Sequence, residues 1–293
     1  MSIYDINGNV LYLGNYKLVG AILDATSNDN RFLAMKQIYD IAKKVIKNPA
    51  YEPQASEFTY ATKGAVCVLP QEPSMYEDYP LNILYQKNGD SQTIPASTTK
   101  VMNLITALPF IDNVKEKITL VSGDIESGSG NYFSAGDVLT IEDIMYGMML
   151  PSSNTCAKAL AHYCGAKILG NPSETVANCV SAFVTEMNNK ATLIGCENST
   201  FTTPSGLATN NYSTAEDMLR IMIEASSFPE INRVWNKKSY DISVGGTNAR
   251  TVSLTTTVSD ETLEASYYIF GGKTGSIDSG STASALVMIA EAK

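Results

Sequence analysis

The sequence predicts an α/β protein in which both ends of the chain build one antiparallel sheet and the middle forms an inserted helical lobe. Three observations carry this. Short apolar, β-branched runs bounded by Gly or turn residues sit near both ends: Leu18 to Leu23, Gly64 to Leu69 and Asn82 to Gln86, then Tyr267 to Gly275 and Ala283 to Ala290. The stretch between them carries helical periodicity with capping signals. With 293 residues, 44% hydrophobic and 17% charged, the chain can bury a sizeable core and does not have a disordered composition. Strands at both ends with helices between them fit one layered unit.

Taken in order, residues 1–25 read as extended segments, with Asn7-Gly8 as a turn and strands at Val10 to Leu13 and Leu18 to Leu23. Phe32, Met35, Ile38, Ile41, Ala42, Val45 and Ile46 form a helical stripe that ends before Asn48-Pro49. A polar linker, Tyr51 to Phe58, precedes two buried strands, and Asn88-Gly89 turns the chain into a helix starting near Ser97. Pro95 suits that start, and Val101, Met102, Leu104, Ile105 and Leu108 give its buried face. Thr140-x-x-Asp143 reads as a capping box for a helix that stops at Pro151. A second helix runs from Asn154 to Cys164, with Gly165 as its terminator, and a third from about Ser173 to Leu193. Thr214-x-x-Asp217 caps a fourth, and past Trp235 the pattern turns to strands.

Composition removes several functions. A net charge of −9 with no basic run speaks against a nucleic-acid partner. Five cysteines without Cys-x-x-Cys spacing read as small buried hydrophobes, and a single histidine, His162, leaves a zinc site without ligands; no metal or other cofactor is expected. The longest apolar runs are too short to cross a bilayer, and Met1 to Val10 has no apolar core of the signal-peptide kind. Oligomeric state leaves no mark in the sequence.

The chemistry gathers in three stretches. In Ser97-Thr98-Thr99-Lys100 the serine and lysine lie three apart on one helix face, close enough for an amine to activate a hydroxyl. Ser152-Ser153-Asn154 occupies the turn between two helices, and Gly271-Gly272-Lys273-Thr274-Gly275-Ser276 ends a strand candidate. Each is common alone. Ser-x-x-Lys, Ser-x-Asn and Lys-Thr-Gly in that order, on a helix start, an inter-helix turn and a strand, resemble the penicillin-recognising serine enzymes with their β-lactamase/transpeptidase-like fold. Residues 136–162, Phe183 to Gly195, Thr203-Pro204-Ser205-Gly206-Leu207 and Ser213 to Asp217 are similar to the D-alanyl-D-alanine carboxypeptidases, the low-molecular-mass penicillin-binding proteins. The likeness spans roughly residues 31–290. It divides the chain into an N-terminal extension, 1–30, and a penicillin-binding domain, 31–293, with a helical lobe at about 97–230.

That resemblance implies a serine carboxypeptidase that removes the terminal D-alanine of peptidoglycan stem peptides and is acylated by β-lactams. Ser97 would be the nucleophile and Lys100 its base, which requires a neutral amine. Lowering a lysine pKa from about 10.4 to about 7–8 costs roughly 3–5 kcal/mol, and burial beside Lys273 as a second cation would achieve it. Ser152 would relay a proton to the leaving group, Asn154 would hold Lys100 and the substrate amide, and Thr274 would bind the terminal carboxylate. The oxyanion donors would be the N–H groups of Ser97 and Ser276, with Gly271, Gly272 and Gly275 admitting a substrate backbone alongside the strand.

Rival chemistries find less support. His162 lies mid-helix with no Gly-x-Ser-x-Gly elbow elsewhere, and Cys164 is on a different face from it. A serine β-lactamase shares the three motifs, but its Glu-x-x-x-Asn deacylation pattern has one match, Glu174 to Asn178, inside an amphipathic helix. A non-catalytic penicillin-binding sensor is the remaining alternative.

Two departures stand out. The family adds a further strand, bearing a carboxylate-binding arginine, and a terminal helix after the strand that follows Lys-Thr-Gly. Here one strand candidate follows before Lys293. Residues 10–24 are expected to fill the gap in the sheet, with Arg250 as the nearest substitute arginine. The family substrate lies outside the cytoplasmic membrane, so an extracytoplasmic location is implied although no export signal is read at Met1 to Val10.

Overall fold

The computed structural model describes residues 2–4, 10–13, 16–76, 79–278 and 282–293; the Asn7-Gly8 turn lies outside them. Strands β1 (Ser2–Tyr4) and β2 (Val10–Leu13) pair with each other as a separate ribbon. Then come β3 (Lys17–Ala25), helix α1 (Asn30–Lys47), β4 (Ala61–Val68) and β5 (Ile83–Lys87). The middle holds α2 (Thr99–Ala107), β6 (Lys117–Thr119), β7 (Asp137–Thr140), α3 (Ile141–Met149), α4 (Asn154–Leu169), α5 (Val176–Leu193), α6 (Ala215–Ser226) and α7 (Pro229–Trp235). The remainder is β8 (Ser239–Gly246), β9 (Arg250–Thr255), α8 (Glu261–Ser266), β10 (Tyr267–Asp278) and β11 (Thr282–Ala292).

The principal sheet has the order β10-β11-β3-β4-β5, antiparallel throughout. Residues 17–25 therefore sit between the last strand and β4, with Leu286 opposite Ile22 and Val19 opposite Cys67. Residues 10–13, also expected in this sheet, are in the β1–β2 ribbon instead. The pleat explains why β3 reads as a continuous apolar run. Val19, Ala21 and Leu23 face the helical lobe, whereas Leu18 and Ile22 face α1 and α8. Glycine at position 20 admits Met35 and Tyr39 of α1, since a Cβ there would lie 2.5 Å from the Met35 sulfur. The Tyr39 hydroxyl in turn donates to the Met288 carbonyl, 2.8 Å, tying α1 to β11.

Three sequence expectations shift. The 97–230 region is not wholly helical: β6 and β7 join β8 and β9 in a second four-stranded sheet. β5, expected to be buried, is a half-exposed edge strand. Helix α4 passes through Gly165 and ends at Gly170, whose φ of 61° makes it the left-handed cap. Gly165 is a contact glycine, because a Cβ there would come within 2.0 Å of the Cys179 carbonyl oxygen on α5. The Thr140–Asp143 capping box holds, with Thr140 Oγ1 accepting from the Asp143 N–H and Asp143 Oδ2 from the Thr140 N–H. Thr214 caps its helix one way, accepting from the Asp217 N–H, while the Asp217 carboxylate accepts from the Asn198 N–H and the Ser199 hydroxyl.

Candidate active site

Ser97 sits in a 3-10 turn, Ala96–Thr98, that feeds directly into α2, one turn before Lys100. The Lys100 amine donates to the Ser97 hydroxyl at 2.9 Å, to Asn154 Oδ1 at 2.8 Å and to the Ser205 carbonyl at 2.8 Å. Ser152 and Asn154 come from the turn between α3 and α4, and Lys273 from β10. The Lys273 amine donates to Ser152 Oγ and to the Thr274 carbonyl, each at 2.8 Å. The three stretches thus meet as two amine–hydroxyl pairs, both lysines 0% exposed and Ser97 8%.

Burial decides the electrostatics. It pushes Lys100 down to about 7, with Glu126 and Cys156 acting in the opposite direction. Lys273 is also held well below its ordinary value, by burial first and then by the positive charges of Lys100 and Arg31. An amine near neutrality beside a hydroxyl is competent to take its proton.

Backbone strain falls next to Ser97 and at Ser152. Ala96 has φ 50° and Ser152 φ 67°, both left-handed without being glycine. Gly206, φ 79°, is packed so closely that a Cβ would fall 1.9 Å from the Ala96 carbonyl oxygen. The Thr203–Leu207 segment therefore supports the Ala96–Ser97 turn while its Ser205 carbonyl holds the Lys100 amine.

The remaining expected residues divide. Thr274 is buried and shares a 2.6 Å hydrogen bond with Thr257 Oγ1. Gly275 lies directly against the Ala96–Ser97 turn, since a Cβ there would meet Ser97 N at 3.1 Å. Ser276 accepts from Arg31 Nη1 at 3.2 Å and donates to Asn28 Oδ1 at 2.9 Å. β10 is an edge strand of its sheet, but Gly271 and Gly272 serve packing rather than a ligand. A Cβ on the first would strike Trp235, and one on the second the Val287 carbonyl; a register shift at Ile269/Gly271 marks a bulge.

Arg250 is not in this cluster. It pairs with Asp137 through both guanidinium nitrogens, each at 2.8 Å. Arg31, at the start of α1, is the arginine that reaches the Lys-Thr-Gly strand. No local motif marks it, because only the insertion of β3 into the sheet brings it there. Glu174 lies outside α5, just before its N-cap Thr175, and accepts from the Thr175 N–H and from Asn178 Nδ2 in the first turn, so the pair is exposed and not wholly within the helix. His162 faces Asp124 at 2.8 Å. All five cysteines are free and buried, and burial raises the Cys156 and Cys164 thiols to about 12. Among the described residues no cluster of His, Cys, Asp or Glu is arranged to hold a metal, and no helix is long and apolar enough to cross a membrane.

Comparison with known proteins agrees with this geometry. The chain is 27% identical over 186 residues to the D-alanyl-D-alanine carboxypeptidase DacF of Bacillus subtilis, covering 61% of this chain and 43% of that protein. It is 30% identical over 164 residues to the D-alanyl-D-alanine carboxypeptidase of Streptomyces sp. strain K15, covering 54% of each. The chain thus spans about half the length of these curated relatives. The crystal structure of the Streptomyces K15 DD-transpeptidase superposes with a TM-score of 0.60 at 26% identity, covering 71% of this chain and 84% of that one. The family model for peptidase S11, D-alanyl-D-alanine carboxypeptidase, matches residues 78–293. With that match over most of its length, the chain belongs to the peptidase S11 family of D-alanyl-D-alanine carboxypeptidases.

Proposed function

We propose that this protein is a serine DD-carboxypeptidase, removing the terminal D-alanine from peptidoglycan stem peptides through an acyl-enzyme on Ser97. The observation that carries the reading is the fully buried Lys100 amine, with a pKa near 7, at 2.9 Å from the Ser97 hydroxyl. As Ser97 Oγ attacks the penultimate D-alanine carbonyl, neutral Lys100 takes the hydroxyl proton. The oxyanion forms against the N–H groups of Ser97 and Ser276; removing one such donor costs about 10²–10³ in rate. Ser152, hydrogen-bonded to Lys273, relays that proton: it gives its own hydroxyl proton to the departing D-alanine nitrogen and takes the one Lys100 received, leaving Lys100 neutral again. Water then cleaves the ester and frees Ser97.

Asn154 orients Lys100, while Thr274, Lys273 and Arg31 face the free carboxylate of the substrate. Arg31 fits this role because its Nε is buried without a hydrogen-bond partner among the described residues. A guanidinium at that end of the site favours a chain end over an internal bond, hence carboxypeptidase over endopeptidase. The surface position of Glu174 favours a peptidase over a β-lactamase, since the Glu174–Asn178 pair has no part in the site. The substrate places the reaction outside the cytoplasmic membrane.

Mass spectrometry after incubation with benzylpenicillin tests the reading. One covalent adduct on Ser97 is expected, absent in Ser97→Ala and persisting rather than decaying rapidly, together with D-alanine release from a D-Ala-D-Ala peptide. A protein that takes no adduct would overturn it.

A further inference from the structure

Asn154 can present Oδ1 to Lys100 because its other amide atom is already committed: Nδ2 donates to the Ser127 carbonyl at 2.9 Å. The 126–130 part of the 126–132 loop lies along the start of α4. The Asn154 N–H donates to the Ser129 carbonyl at 3.1 Å, and Thr155 Oγ1 accepts from the Glu126 N–H and donates to its carbonyl. Gly130, φ 61°, rests on Ser153 so closely that a Cβ would come within 2.5 Å of its Cα.

The far end of the loop is tied elsewhere. Arg250, at the start of β9, forms a two-pronged pair with Asp137, whose side chain is 0% exposed. Its Nη2 also donates to the Tyr132 carbonyl at 2.6 Å, while Asp137 Oδ2 accepts from the Ser134 N–H at 2.9 Å. A planar fork holding a carboxylate and a carbonyl at once is something arginine can do and lysine cannot.

From this chain of contacts we infer that Arg250, with Asp137, is a positioning residue for catalysis: it anchors the 126–132 loop whose Ser127 carbonyl fixes the rotamer and polarity of the Asn154 amide. Asn154 then aims its oxygen at Lys100. The second sheet thereby contributes to the active site without touching substrate. The inference rests on the acyl-enzyme reading above.

A double-mutant cycle tests it. The rate and stoichiometry of acylation by a fluorescent penicillin are measured for wild type, Arg250→Gln, Asn154→Ala and the double variant, with amide hydrogen exchange followed in the wild type and in Arg250→Gln. Arg250→Gln is expected to acylate to full stoichiometry but about tenfold more slowly, and the double variant no more slowly than Asn154→Ala alone. Exchange should rise across 127–131. A wild-type rate in Arg250→Gln, or losses that multiply in the double variant, would overturn the inference. If Arg250→Gln does not fold, Arg250→Lys takes its place, with the same pattern expected. If the wild type takes no penicillin, the acyl-enzyme reading fails. The exchange data then decide the loop anchor: faster exchange at 127–131 upholds it, and unchanged exchange refutes it.

Discussion

The Arg31 guanidinium donates to the Ser276 hydroxyl at 3.2 Å across a sequence separation of 245 residues. The strand before Arg31 lies beside β11, which lies beside β10, so the arginine arrives at the Lys-Thr-Gly strand through the sheet. This sets a guanidinium beside Ser276, where the proposed function seats the free carboxylate of the substrate.

Arg31→Gln should therefore lower kcat/KM for a D-Ala-D-Ala peptide by about 10–100-fold, the loss of one charge-assisted contact of about 1.5–3 kcal/mol. The same peptide with its terminal carboxylate amidated should lose little further on mutation. Parallel assays of the two peptides by chromatography check this; equal losses on both would show that Arg31 does not recognise the carboxylate.

Acylation should follow the neutral form of Lys100. Its rate is expected to rise with pH through about 7 and then level off. Burial favours the neutral amine, and Glu126, which has one buried carboxylate oxygen without a hydrogen-bond partner, favours the protonated one, with Cys156 acting in the same direction. Glu126→Gln should shift the acid limb to lower pH and leave the plateau in place. A pH–rate profile of penicillin acylation with both proteins decides it, and an unmoved limb would refute the role of Glu126.

The same amine links stability to pH. Burial lowers the folded-state pKa from 10.5 to about 7, so between those values the unfolded chain binds more protons than the native one. Stability from this group rises with pH across that window and is lost as pH falls. Relative to Lys100→Met, the wild type should gain about 1 kcal/mol per pH unit from pH 7 to 9. Urea denaturation at three pH values measures the slope, and a flat difference would exclude a depressed lysine.

Gly206→Ala should destabilise the fold by about 2–4 kcal/mol. The added methyl collides with the Ala96 carbonyl at a residue already in the left-handed region. Because that carbonyl precedes the nucleophile, acylation should slow even in molecules that remain folded. Thermal denaturation with acylation at 20 °C separates the two effects.

Ser97, Lys100, Ser152, Asn154 and Lys273 were legible because each belongs to a local pattern on an element whose start or turn is signalled by its own residues. Arg31 was not legible: nothing around it differs from an ordinary helix start, and its importance comes from strand pairing. Arg250 drew attention as the arginine nearest the Lys-Thr-Gly stretch in sequence, yet a buried aspartate claims it. The second sheet leaves no mark in the sequence at β6 and β7, which span three and four residues, too short for alternation to show. Gly165 resembled a terminator because a glycine required by helix contact and one required by a left-handed cap look alike in a sequence.

β3 carries one more consequence. Lys17 stands directly opposite Glu291, so the two extremities of the principal sheet are neighbours in space. A short linker from Lys293 to Tyr16, with the chain reopened between α1 and β4, would be a circular permutant that keeps every strand pairing of that sheet. In its new order β3 and α1 would follow β11. Folding and acylation of such a rewired chain would show that spatial neighbourhood, not the order of synthesis, defines this sheet and the site it carries.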